Sequence, residues 1–229
     1  MGAGSPFHVR LWAEVEPEWQ AITGHPFLLE LAQGTLQPGC FLYFLEQDAL
    51  YLEDFARLLA AAAAKAPSRQ EIQLFLNHAL GVFEVETALH QTLTQAFGQD
   101  PARLTLADRG PATQAYLDFL FGWARDGDYS DLVMALLPCF WVYRQVGTWL
   151  AQGPPCPHPL YRQWIETYSG PSYGEAVAEQ IALADRLADL APGRQDAFSA
   201  IFRTGVQHER AFWDQAYSNW QEGGPGTDV

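Results

Sequence analysis

After Pro38 no further proline interrupts the chain until Pro67. Across that stretch Phe41, Phe44, Leu45, Asp48, Leu52 and Phe55 recur at the three- and four-residue steps of one helix face. Proline is tolerated in a first helical turn, where its missing N–H would have no partner, so Pro38 reads as a start and Pro67 as an end. A helix reaching from Pro38 to Lys65 must bury that stripe against other helices. This restricts the chain to a helical bundle.

The same pattern continues on both sides. Pro6 to about Ile22 is periodic, with Pro17 expected to bend or break it, and a short segment from Phe27 to Ala32 follows. Ser68 to about Phe97 reads as a second long helix, opened by a Ser68-Arg69-Gln70-Glu71 capping box. Pro111 to Ala124, Tyr129 to Ala151, Pro159 to Tyr168, Ser172 to Leu190 and Pro192 to Trp220 complete the set. No stretch alternates with period two, no repeat recurs and no Pro/Gly/Ser-rich linker divides the chain. The expectation is an all-α bundle, one domain over residues 1–222, followed by a short disordered tail at 223–229.

Charge narrows the partners. Asp and Glu number 27 against 13 Lys and Arg, a formal net charge of −14 with no basic cluster, which disfavours phosphate backbones and anionic lipid surfaces. The strongly apolar run from Leu58 to Ala64 is far too short to span a bilayer. Neither nucleic acid nor membrane is therefore expected as a partner. Cys40, Cys139 and Cys156 are an odd count without a disulfide framework, and no basic and apolar leader opens the sequence. A reduced, cytoplasmic protein is expected. Cys40, at a helix start, and Cys156, in a Pro-rich loop, are expected to be exposed, and no role is assigned to either.

Three polar groups fall on apolar stripes. Asp48 sits on the face named above, with Tyr51 close by on the same surface. Glu209 is the one charge among Phe198, Ile201, Phe202, Gly205, Phe212, Trp213 and Ala216, and Cys139 shares a stripe with Leu132, Leu136, Tyr143, Val146 and Leu150. Each alone has an ordinary explanation, a carboxylate satisfied by a Tyr or Arg neighbour or a thiol acting as a small hydrophobe. Two inward carboxylates on separate helices plus an inward thiol point instead to a reactive pocket, in which burial raises carboxyl pKa values toward neutrality. Tyr116, Tyr143 and Tyr168 lie where they can add flat walls for a flat ring.

These residues resemble the TenA family, also called thiaminase II or aminopyrimidine aminohydrolase, whose fold is like that of haem oxygenase. The resemblance covers most of the chain. It rests on His25-Pro26-Phe27, Gly34-Thr35-Leu36, Gln47-Asp48-Ala49-Leu50-Tyr51-Leu52, Phe55-Ala56-Arg57, Glu84-Val85-Glu86 with Leu89-His90, Leu136-Leu137-Pro138-Cys139-Phe140-Trp141-Val142-Tyr143, His158-Pro159-Leu160-Tyr161 with Trp164, and Glu209 before Phe212-Trp213. By resemblance Cys139 is the nucleophile, Glu209 transfers protons, Asp48 binds the ring nitrogen and amino group of a pyrimidine, and Tyr51, Tyr116, Tyr143 and Tyr168 surround it.

The implied activity is hydrolysis in thiamin salvage, deaminating 4-amino-5-aminomethyl-2-methylpyrimidine to the hydroxymethyl pyrimidine or cleaving thiamin, through an adduct on Cys139. The resemblance also implies a homotetramer and no cofactor. His208 and Arg210 around Glu209, and Phe140 after Cys139, depart from the family pattern and bear on the outer substrate contacts.

Two other classes fit parts of the sequence. A protein of this fold could bind or act on another heterocycle. A di-metal oxygenase would use the Glu84, Glu86 and His90 run, but the helices expected to face it supply too few carboxylates and histidines to close a metal cage. Haem is disfavoured because His25 precedes a proline in a turn.

Overall fold

In a computed structural model, which describes residues 5–82, 87–105 and 107–221, the chain forms eleven described α-helices: α1 Phe7–Glu14, α2 Glu16–Thr23, α3 Pro26–Gln33, α4 Pro38–Lys65, α5 Arg69–Gly81, α6 Thr87–Ala96, α7 Pro111–Asp126, α8 Tyr129–Gln152, α9 Pro159–Ser169, α10 Pro171–Leu190 and α11 Gln195–Gln221. Short 3-10 turns occupy Pro101–Thr105 and Pro192–Arg194, and no strand occurs among the described residues. The all-α expectation holds. Proline stands in the first turn of α2, α3, α4, α7, α9 and α10, where it marks the boundaries.

Several local expectations need adjustment. The first segment breaks at Val15 rather than at Pro17, which instead sits in the opening turn of α2. Proline restricts the residues before it, so the break falls upstream of the ring. The span from Ser68 to Phe97 is seen as α5 and α6 on either side of residues 83–86, which lie outside the described set. Only half of the capping box forms: Ser68 accepts from the Glu71 N–H, while the buried Glu71 side chain pairs with Arg186 of α10. A charge that deeply placed is better satisfied by a guanidinium than by one backbone N–H. The tail from Gly223 lies outside the described residues.

The largest difference concerns α8. Sequence spacing gave it a single inward stripe, yet every side chain from Asp131 to Tyr143 is buried. It runs through the middle of the bundle, against α11, α9, α10, α7 and α4. A helix covered on all sides has no polar face to reveal its orientation.

Three polar side chains lock the helices that matter to the site. Gln47 of α4 accepts at Oε1 from Gly110 N (2.8 Å) and Thr113 Oγ1 (2.7 Å) and donates from Nε2 to the Asp108 carbonyl (3.0 Å). Gln215 of α11 accepts from Ala112 N and donates to Thr113 Oγ1. The start of α7 is thereby tied to α4 and α11 at once.

Candidate functional site

Cys139 lies mid-way along α8, buried, directly after Pro138. A proline inside a helix removes one backbone donor and pushes on the preceding turn. Its ring is accommodated by Gly205 of α11, where a Cβ would stand 2.5 Å from Pro138 Cγ. The missing side chain lets α11 approach α8 beside Cys139, one turn before Glu209. A Gly205→Ala substitution is expected to cost roughly 1–3 kcal/mol of stability. It should also lower turnover by separating Cys139 from Glu209; chemical unfolding and steady-state rates measure the two effects.

A second close approach positions Tyr168. At Gly147 of α8 a Cβ would lie 2.7 Å from the Tyr168 backbone carbon, and Arg144 donates to the carbonyls of Tyr168 (3.2 Å) and Gly170 (2.9 Å). The C-terminal end of α9 is held by a cation where its carbonyls are otherwise unsatisfied.

The six other residues singled out from the sequence form a connected set with Cys139. Tyr116 of α7 donates to Glu209 Oε1 at 2.6 Å, with both groups buried. The Tyr51 ring stacks on Tyr116 at 5.0 Å. Its hydroxyl lies beside the Cys139 sulfur and the Tyr116 hydroxyl without completing a well-angled bond to either. Tyr143 packs on Tyr168 at 5.0 Å and on Trp213 at 5.5 Å, and senses the charge of Asp48. Phe212 closes another side, edge-on to Tyr51 at 6.0 Å.

Burial dominates the electrostatics. The Glu209 carboxyl is pushed up to about 8, first by desolvation and further by the Asp48 charge, against the opposing pull of the Tyr116 hydroxyl. Tyr51, Tyr116 and Tyr143 are all held well above the ordinary phenol value, principally by burial, so their hydroxyls keep their protons as donors. One carboxyl that stays protonated at neutral pH, next to a thiol, is an arrangement for acid-base chemistry.

Among the described residues Asp48 pairs with neither a Tyr nor an Arg, the partners its position suggested. His90 Nε2 of α6 stands 3.0 Å from its Oδ2, both side chains sealed from solvent. Glu84 and Glu86 lie outside the described residues, and among the described ones no cluster of three potential metal ligands occurs. His25 caps α3, its Nδ1 accepting from Phe27 N while Nε2 reaches Asp214 at 3.1 Å, a structural role. Cys40 and Cys156 are buried rather than exposed, their thiols donating to the Ala216 and Leu31 carbonyls.

The sequence reading passed over His78, whose ring packs 5.2 Å from Phe140 and whose burial lowers its pKa to about 4. It borders a cavity of about 340 Å³ that reaches Cys139 and is walled by Phe55, Phe140, Ser172 and Tyr173. Nothing in the local pattern of α5 distinguishes His78 from a surface residue. Of the two departures flanking Glu209, His208 lies flat on Tyr116 at 5.1 Å, whereas Arg210 faces outward toward Asp214.

The comparisons with known proteins agree with this architecture. A sequence model of the TENA/THI-4/PQQC family matches residues 12–219. An aminopyrimidine aminohydrolase of Halalkalibacterium halodurans is 31% identical over 93% of this chain and 96% of its own length. The structure of a TenA homologue from P. horikoshii OT3 superposes with a TM-score of 0.86 at 26% identity, covering 93% of this chain and 99% of that one. A Shewanella denitrificans domain of unknown function with a haem oxygenase-like fold superposes at 0.73 with 13% identity, over 97% of each chain, and bears on the fold alone. With the family match extending over nearly the whole bundle, the chain belongs to the TENA/THI-4/PQQC family.

Proposed function

We propose that the chain is a hydrolase of thiamin salvage that deaminates 4-amino-5-aminomethyl-2-methylpyrimidine to the hydroxymethyl pyrimidine and cleaves thiamin by the same route. The observation that carries this reading is the meeting of Cys139, Tyr51, Tyr116 and a protonated Glu209 in one buried, aromatic-walled place, with Asp48 in their electrostatic reach. The similarity to an aminopyrimidine aminohydrolase along nearly the full length supports it.

In this reading the ring lies among Tyr51, Tyr143, Tyr168 and Phe212 and is held through its nitrogen and amino group by Asp48. The Cys139 thiolate adds to the unsubstituted ring carbon beside the one that bears the aminomethyl arm; the carbon–nitrogen π bond there opens, and the ring nitrogen that receives its electron pair takes up the proton given by the thiol. The electron pair of the ring amino group then expels the arm's amine, which leaves as ammonia after taking a proton from Glu209. Water, deprotonated by Glu209, adds to the exocyclic methylene, and loss of the thiolate restores the aromatic ring. With thiamin the thiazole departs in place of ammonia. The Tyr51 hydroxyl beside Cys139 and the Tyr116 hydroxyl, which donates to Glu209, line the space between the thiol and the acid. Ammonia release by the purified protein, with the product identified by mass, tests the reading.

The chain is further proposed to work in the cytoplasm as a homotetramer. None of the described helices is long and apolar enough to cross a membrane. On α5, Ile72, Leu76 and Leu80 form one stripe at four-residue spacing with 39%, 46% and 56% exposure, an apolar strip suited to burial against a second copy. Light scattering should give four times the chain mass, and Leu76→Lys should lower it.

A further inference from the structure

The side chain of His90 is not used by the mechanism above, yet it occupies the one place from which it can control Asp48. The two residues come from α6 and α4, and their side chains are 1% and 5% exposed. A carboxylate withdrawn from water this completely needs a partner, because burying it unpaired is strongly unfavourable. His90 Nε2, 3.0 Å from Asp48 Oδ2, is the partner provided.

The other ring nitrogen has no comparable neighbour. Nδ1 of His90 is buried with no hydrogen-bond partner. Of the two ring nitrogens only Nε2 stands within reach of an acceptor, so an N–H there is the one that can be used. In the ligand-free protein the two atoms are close but imperfectly aligned, since neither completes a hydrogen bond. Hydrogen bonds at active sites commonly tighten only when substrate arrives.

Tyr143 and Glu209 face Asp48 from α8 and α11, and neither supplies it with a positive partner. The Asp48 charge adds to the burial that keeps Glu209 protonated, so the two carboxyls take different roles.

We propose that His90 is a positioning residue for ring recognition: with substrate bound, its Nε2–H donates to Oδ2 of Asp48 and so turns Oδ1 to accept from the amino group and the adjacent, protonated ring nitrogen of the aminopyrimidine. The inference rests on the hydrolase reading above for the identity of that ring. His90 acts through Asp48 and touches no reacting atom.

The test compares His90→Leu, His90→Gln and His90→Asn in the full chain, each with and without Asp48→Asn. The readouts are hydrolysis of 4-amino-5-aminomethyl-2-methylpyrimidine and calorimetric binding of the hydroxymethyl pyrimidine. Removing the hydrogen bond in His90→Leu should raise KM and weaken binding about ten- to a hundredfold. His90→Gln, whose amide nitrogen reaches the Nε2 position, should recover most of the loss, whereas His90→Asn, with an amide at the Nδ1 position, should not. If His90→Leu fails to fold, the Gln and Asn pair carries the comparison.

In the Asp48→Asn background the His90 substitutions should cost little more, because the interaction they remove is already gone. Unchanged KM and binding in folded His90→Leu, equal losses in His90→Gln and His90→Asn, or full losses repeated in the Asp48→Asn background would each overturn the proposal. Failure of the hydrolase reading is separable: a wild type that binds the ring without turnover leaves the binding series to decide His90, and one that neither turns over nor binds removes both.

Discussion

A Cys139→Ser variant is expected to fold as the wild type does and to release ammonia at least about a thousandfold more slowly. The two side chains differ by one atom at a buried position beside the Tyr51 hydroxyl, which offers the new hydroxyl a hydrogen-bond partner. Little stability should therefore be lost. The chemical difference is large, because a serine hydroxyl is a far weaker nucleophile near neutral pH than a cysteine thiol. Mass spectrometry of wild type quenched during turnover should show an adduct of the pyrimidylmethyl group on the peptide containing Cys139, and the variant should show none. Full turnover by the variant would sink the covalent step and leave direct displacement by water at the arm. Loss of turnover without any trapped adduct in wild type would place the slow step at addition.

The residues of this site differed in how plainly the sequence displayed them, and the reasons are physical. Asp48 and Glu209 each interrupt an apolar stripe of a long amphipathic helix, and a buried charge is costly enough to be conspicuous in a local pattern. The boundaries of α4 were equally legible, because Pro38 and Pro67 act through the backbone within a turn of where they stand. What periodicity could not convey is pairing across the fold. His90 was read as one end of a metal-binding run, since nothing within α6 tells that its ring meets Asp48 on α4. Glu71 was assigned to a capping box because its spacing from Ser68 fits one, and the competing guanidinium of Arg186 is distant in the chain.

Cys40 and Cys156 looked exposed from their helix-start and loop positions, yet long-range packing covers both. The burial of α8 on every side was hidden for a related reason: a helix without a polar face carries no signal of which neighbours surround it. The interrupted stripes suggested one shared pocket, the family resemblance assigned the roles within it, and the distances came only from the fold.

Glu209→Gln should cost about a hundredfold to ten-thousandfold in turnover, the usual worth of a positioned proton donor and acceptor, while leaving the Tyr116 contact in place through the amide oxygen. Its pH behaviour separates this role from a structural one. In the folded protein Glu209 keeps its proton up to about pH 8, against an ordinary value of 4.5. Wild-type turnover should therefore fall above about pH 8 as the acid that protonates the departing amine is lost, and the residual activity of Glu209→Gln should lack that limb.

The same shift links the residue to stability, with a definite sign. In the unfolded chain Glu209 gives up its proton above 4.5, whereas the folded protein retains it to about 8, so folding takes up a proton throughout that window. The contribution is complete below pH 4.5 and is lost as pH rises to about 8, by up to about 1.4 kcal/mol per pH unit. Glutamine cannot titrate, and its variant should lose less stability than wild type between pH 5 and pH 8. Urea midpoints at those two values make the comparison independent of turnover. Equal losses in the two proteins would mean that Glu209 is already ionised in the folded state, and the proton delivered to the departing amine would then have to come from one of the tyrosine hydroxyls.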